Sequence, residues 1–260
     1  MPALADILLT NLGVLLCVVT PLWLLSLALR DASIVDIFWG MGFVILVWST
    51  RLQVDASPYS LPLAIATTLW GLRLAAYLAA RNLGHGEDRR YAAMRAARPR
   101  HFWWWSFLAI FLFQAVLCLI VGLPVQVGQA LPRPAAIIAT DILGAAIFLF
   151  GFLYETIADW QLARFKRDPL NAGRVMDRGL WRHSRHPNYF GEAILWWGLW
   201  LMATAATNAS WTAVGPALIT FLLLRVSGVS LLEKTIVHRR PEYAEYIRRT
   251  RAFIPGPRKP

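Results

Sequence analysis

Apolar residues fill this chain in long runs, and the polar residues gather in the connections between them. At ~20 residues per bilayer crossing, the runs predict about seven spans. They are Ile7–Leu29, Ile34–Thr50, Leu61–Ala80, Phe102–Val125, Ala135–Tyr154, Tyr189–Ala206 and Trp211–Val229. The second is short, and the sixth starts inside a polar stretch. The expected fold is an all-α, polytopic transmembrane helical bundle, with residues 1–260 forming one integral-membrane domain. No internal repeat, low-complexity segment or linker argues for a second domain.

Composition agrees, with 57% hydrophobic residues and a mean hydropathy of +0.48. The net charge of +11 does not point to nucleic acid. It sits in connections where orientation and anionic headgroups account for it, so membrane lipid is the expected partner. Arg81, Arg89, Arg90, Arg95, Arg98 and Arg100 share one loop, and Arg164 to Arg185 and the C-terminal tail are similarly basic. The opposite loops offer Arg51 and Arg133. The positive-inside rule then predicts an outward N-terminus and a cytoplasmic C-terminus, which an odd number of spans satisfies. Trp103, Trp104 and Trp105 mark an interfacial belt where the fourth span begins. Asp6, with no basic residue before the first apolar run, predicts a retained span rather than a cleaved signal. Cys17 and Cys118 fall within apolar runs and read as packing residues.

The stretch Gly179–Glu192, GLWRHSRHPNYFGE, breaks this pattern. Unpaired polar groups in hydrocarbon cost several kcal/mol each, so the stretch must lie at a membrane surface or line a polar cavity. Gly179 allows a tight turn, and Pro187 suits the first turn of a helix. A helix start flanked by Arg185 and His186 suits an anionic group such as a phosphate, although a basic loop with an ordinary cap has the same sequence. Ionisable residues within spans also mark function or internal pairing. Asp36 in the second span could pair with Arg73 in the third, while Gln114 and Asp141 lie in the fourth and fifth. Asp141, near its span's start, is expected to be solvated or structural. Glu155 and Asp159 share a helical face, and with Arg164 and Lys166 predict a mixed-charge rim. Tyr91, after Glu87, Asp88, Arg89 and Arg90, reads as a proton donor or a surface aromatic. The five histidines, His85, His101, His183, His186 and His238, show no metal-ligand spacing, and zinc-protease, hydrolase, Walker and Rossmann motifs are missing.

From Asp159 onward the chain resembles the steroid 5-alpha-reductase C-terminal family, in its bacterial branch. The likeness runs through Asp159, Lys166, Gly179-Leu180-Trp181, Asn188-Tyr189-Phe190-Gly191-Glu192 and Trp196. It continues through Glu233-Lys234 and Tyr246 to Phe253-Ile254-Pro255. This resemblance implies that residues 134–260 hold NADPH, facing the cytoplasm of a bacterial inner membrane. Asp159, Lys166, Asn188, Tyr189 and Glu192 would shape the pocket. Arg164, Arg185 and Lys234 would be phosphate partners on charge. Residues 1–133 would form the substrate side, taking a lipophilic, steroid- or isoprenoid-like enone. Here the likeness weakens. The reductases carry a Gln-Glu pair on the second span and a tyrosine on the third. This chain has Asp36-Ile37-Phe38-Trp39-Gly40-Met41, and Trp70 stands at the tyrosine position if Arg73 matches the family's arginine. Asp36 and Tyr91 are then the candidate acids for an NADPH-dependent oxidoreductase of CH–CH bonds.

A second likeness competes. Arg185-His186-Pro187-Asn188-Tyr189, Leu232-Glu233-Lys234, Tyr243, Tyr246 and Ile254-Pro255 resemble the isoprenylcysteine carboxyl methyltransferases. That resemblance implies S-adenosylmethionine as cofactor, with His186, Tyr189 and Glu233 holding it. A non-catalytic membrane protein binding a lipid or nucleotide is the third reading.

Overall fold

The computed structural model describes residues 2–226 and 242–258. Lys234, Glu233 and His238 lie outside those residues. Among the described residues every regular element is helical. In chain order they are α1 (Leu4–Leu29), α2 (Ile34–Gln53), α3 (Leu61–Asn82), α4 (Arg89–Ala97) and α5 (Phe102–Val121). There follow α6 (Leu123–Ala130), α7 (Ala139–Arg167), α8 (Pro187–Ala203), the helical stretch α9 (Ser210–Val226) and α10 (Glu242–Arg249).

Five of these, α1, α2, α3, α5 and α7, are long and apolar enough to cross a membrane. They coincide with the first five hydropathy runs. Leu9, Leu69 and Phe113 leave more than half of their surface uncovered, as lipid-facing side chains do. The fourth run stops short of Val125, because Gly122 ends α5 and Pro124 opens α6. α7 carries the fifth run past Tyr154 to Arg167, 29 residues in all, with Glu155, Asp159, Arg164 and Lys166 on the one helix. At 1.5 Å per residue that is ~44 Å, well beyond a ~30 Å hydrocarbon core. α8 is 17 residues long, at the lower limit of roughly 17 for a spanning helix.

The chain divides into two compact units. The first comprises residues 1–139 and 202–214, and the second residues 140–201 and 215–260. In the first unit α2 and α3 meet backbone to backbone. A Cβ added at Gly71 would lie 2.5 Å from the Gly40 carbonyl oxygen, so no larger residue fits either face of the seam. Fully buried Phe43 and Trp70 pack beside it, their rings 5.5 Å apart. At the far end of α2 a buried polar network ties three helices together. Asn11 of α1 donates to Thr50 Oγ1 and to Gln126 Oε1, both at 2.8 Å. Its own Oδ1 accepts from Ser49 at 2.7 Å and from Gln53 at 2.9 Å. All four hydrogen-bonding positions of the amide are used.

In the second unit α7 and α8 touch in the same way. A Cβ at Gly191 would lie 2.6 Å from the Glu155 amide nitrogen, and one at Gly151 would lie 2.5 Å from that of Leu195. Cys118 is buried and Cys17 exposed, and both are free thiols.

Candidate functional site

The first cluster forms at the N-terminal end of α2. Asp36 lies in the first turn of α2, where the helix dipole favours a negative charge. The partners come from α4. Asp88 caps that helix by accepting from the Arg90 amide at 2.9 Å. Glu87 reaches back to accept from the Ala32 amide at 2.8 Å, and the Asp88 amide donates to Ser33 Oγ at 3.3 Å. These contacts seat a short helix of low hydrophobicity on the α1–α2 turn. Arg90 then pairs with Asp36 Oδ2 at 3.0 Å, and the Tyr91 hydroxyl donates to Asp36 Oδ1 at 2.7 Å. Gln114 of α5 donates to the Tyr91 oxygen at 3.4 Å.

Tyr91 is therefore not a surface aromatic, since only 7% of it is exposed. Burial, reinforced by the Asp36 charge, pushes its phenol well above the ordinary tyrosine range. Burial would depress the Arg90 guanidinium, but the charges of Asp36 and Asp88 more than offset that and raise it. Glu87 and Asp88 are also partly desolvated. Their hydrogen bonds, to Arg95 and Ala32 and to Arg90 respectively, nevertheless hold both below their ordinary values. Tyr91 is thus a protonated phenol whose hydrogen points at a carboxylate.

The second cluster surrounds the stretch from Gly179 to Glu192. Gly179 has φ +57°, and a side chain there would strike the Gln161 amide, whose oxygen accepts from Leu180 N at 3.0 Å. Trp181 Nε1 donates to the Ala158 carbonyl of α7 at 3.0 Å. On the other side Tyr246 of α10 donates to the Trp181 carbonyl, and Ser184 Oγ donates to the Phe253 carbonyl at 2.8 Å. The stretch is thus pinned to α7 and to the C-terminal segment at once. α8 then begins at Pro187, as the sequence predicts. Asn188 donates to Asp159 Oδ1 at 3.1 Å, and the His186 and Tyr189 rings stack with centroids 5.5 Å apart. Glu192 is buried.

Two placements differ from a mixed-charge rim and an open helix start. Glu155 and Asp159 are buried within the unit, while Arg164 and Lys166 are exposed further along α7. Arg185 is buried, and its guanidinium donates to the carbonyls of Ile247 at 3.0 Å and of Thr250. It thereby closes the C-terminal end of α10, where a cation is favoured. Asp141 is buried, in keeping with the structural of its two readings. Arg164 lies over the Trp160 ring at 5.5 Å. Both line a depression of about 380 Å³ with Gln161 and Arg178. Arg178 was not singled out by the sequence, where it is one of many loop arginines.

Helices of this length and apolarity, enclosing buried polar clusters, define a helical membrane protein. A family described as "Protein of unknown function (DUF1295)" matches residues 22–250, and the chain belongs to that family. The matched region includes Asp36, Tyr91 and the whole of 179–192. "Uncharacterized protein C594.04c" of Schizosaccharomyces pombe is 27% identical over 248 residues, covering 84% of this chain and 67% of its own length. The likeness therefore reaches a eukaryote. No solved structure matches the chain.

Proposed function

We propose that this protein is a membrane-embedded, NADPH-dependent reductase of the double bond of a lipophilic enone. The observation that carries the reading is the buried Tyr91 phenol, held between the Asp36 carboxylate and the Gln114 amide. Phenol, acid and amide are the group types that polarise an enone carbonyl in the reductases this chain resembles. Here they come from α4, α2 and α5, which offsets the missing Gln-Glu pair. Tyr91 would turn its hydroxyl from Asp36 to the substrate oxygen, and Gln114 would add an amide N–H as a second donor. Arg90, paired with Asp36 Oδ2 at 3.0 Å, holds that side chain in place and so keeps the phenol oriented.

Bound NADPH would supply the hydride to the substrate. In the second unit, Arg164 and Arg178 offer cationic charge beside the Trp160 face, a donor set that fits the phosphates and adenine of a dinucleotide. Asn188, which donates to buried Asp159, and Tyr189 and buried Glu192 on the first turns of α8 would shape the rest of the pocket, and Lys166 adds charge on α7. The same reading has seven crossings, counting α8 and α9, with this face towards the cytoplasm, as the basic connections favour.

The test is ligand binding by the detergent-purified chain, comparing NADPH, NADH and S-adenosylmethionine by calorimetry and thermal shift. NADPH at a hundred times its Kd should stabilise the fold by about 2.7 kcal/mol. Asn188→Ala and Lys166→Ala should weaken that binding. Selective binding of S-adenosylmethionine would replace this reading with a methyltransferase, and binding of none of the three would favour a non-catalytic lipid- or nucleotide-binding protein.

A further inference from the structure

We propose that the groove formed by the C-terminal end of α1, the α4 helix and the start of α5 binds the headgroup of an anionic phospholipid. The groove has a volume of about 610 Å³, and its lining includes Leu27, Arg30, Glu87, Arg95, Phe102 and Trp103. It divides by chemistry. Leu27, Phe102 and Trp103 form an apolar wall, and Trp103 and the neighbouring Leu29 are each 58% exposed. Trp23 Nε1 donates to the Trp103 carbonyl at 2.9 Å, which ties this start of α5 to α1. Exposed tryptophans beside leucines are the composition of a membrane–water boundary.

The polar edge is cationic and prearranged. Arg95 forks onto Glu87 at 2.9 and 2.8 Å, and its guanidinium lies over the Phe102 ring at 4.2 Å. That fixes its plane and leaves the N–H groups not facing Glu87 for another acceptor. Arg30 terminates α1 with φ +55°, in the left-handed region. Its side chain is exposed, and no described carboxylate pairs with it. Arg30 and Arg95 against Glu87 leave one net positive charge in the groove, the complement of a lipid whose headgroup carries a net single negative charge. A zwitterionic lipid brings its own cation to the phosphate and has no use for Arg30. A free phosphate would have no use for the Trp103 wall. A phosphatidyl headgroup with its acyl chains uses both.

The experiment uses the full chain in detergent micelles doped with dioleoylphosphatidylglycerol or dioleoylphosphatidylcholine, with inorganic phosphate as a third arm. Melting temperature and lipid retention in native mass spectrometry are the readouts. The expected result is a rise in melting temperature and retention with phosphatidylglycerol only. Arg30→Gln should weaken that lipid about fivefold, the effect of one basic group at a membrane surface. Arg30→Lys should keep most of the rise, and Arg164→Gln, in the other unit, should keep all of it. Equal shifts with phosphatidylcholine, reproduction of the shift by phosphate, or an undiminished shift in Arg30→Gln would each overturn the proposal.

Discussion

Tyr91 and Asp36 are 55 positions apart in the chain, and the tyrosine hydroxyl donates to the carboxylate at 2.7 Å. Neither residue brings the other there by its own local preference. The Glu87–Ala32 and Asp88–Ser33 hydrogen bonds dock α4, and the tyrosine follows.

Tyr91→Phe keeps the ring and removes the donor. A hydrogen bond of this kind contributes about 0.5–1.5 kcal/mol, so the melting temperature should fall measurably while the helical circular dichroism is unchanged. If the protein is a reductase, turnover should fall by at least ~100-fold, the usual share of a positioned proton donor. Normal turnover in this variant would remove Tyr91 from the chemistry.

The acidic limb of stability should depend on the α4 dock. Glu87 and Asp88 are held below their ordinary values of 4.5 and 3.8. A depressed carboxylate contributes fully above its unfolded value and loses that contribution as the pH falls through its folded value. The loss should therefore begin below about pH 5 and deepen below about pH 4. In Glu87→Gln melting temperatures should be lower at pH 7 and should fall less steeply between pH 5 and pH 3. Parallel curves for the two proteins would refute this.

Asn11→Leu tests the other end of α2. Gln126 Oε1 is buried and would lose its donor, and Thr50 Oγ1 would lose one as well. A stranded buried acceptor costs ~1–3 kcal/mol, so denaturation in detergent should come at clearly lower temperature. Asn11→Asp should be worse, because it sets a carboxylate against the Gln126 oxygen.

Gly191→Val addresses the α7–α8 contact. With a Cβ only 2.6 Å from the Glu155 nitrogen, the helices must separate, at a cost of ~1–3 kcal/mol or more. The Asn188–Asp159 hydrogen bond should loosen with them. On the proposed reading, NADPH affinity should drop together with thermal stability, whereas Asn188→Ala should lower affinity far more than stability.

Hydropathy was enough to find α1, α2, α3, α5 and α7, because a lipid-facing helix must be apolar over its whole length. The fifth apolar run closes at Tyr154 while its helix carries on to Arg167, and what the pattern missed is where Glu155 and Asp159 lie. Both are instead buried against neighbouring elements, which a linear pattern cannot record. The turn at Gly179 and the helix start at Pro187 were readable because they rest on local backbone chemistry. The Asp36–Arg90 pair was not, because charge alone gives no means of choosing among the arginines available. Arg185 shows the same limit from the other side. Its charge suggested a ligand, while the carbonyls of Ile247 and Thr250 that receive its protons carry no mark in the sequence.

The contact of Gly40 with Gly71 bears on traffic through the bilayer. With two backbones touching there, no methylene chain can slip between α2 and α3 at the level of Gly40 and Gly71. On the proposed reductase reading, an oily substrate travelling sideways towards Asp36 needs another doorway. Bulky residues at Gly40 or Gly71 would wedge open a gate where the native protein keeps a wall.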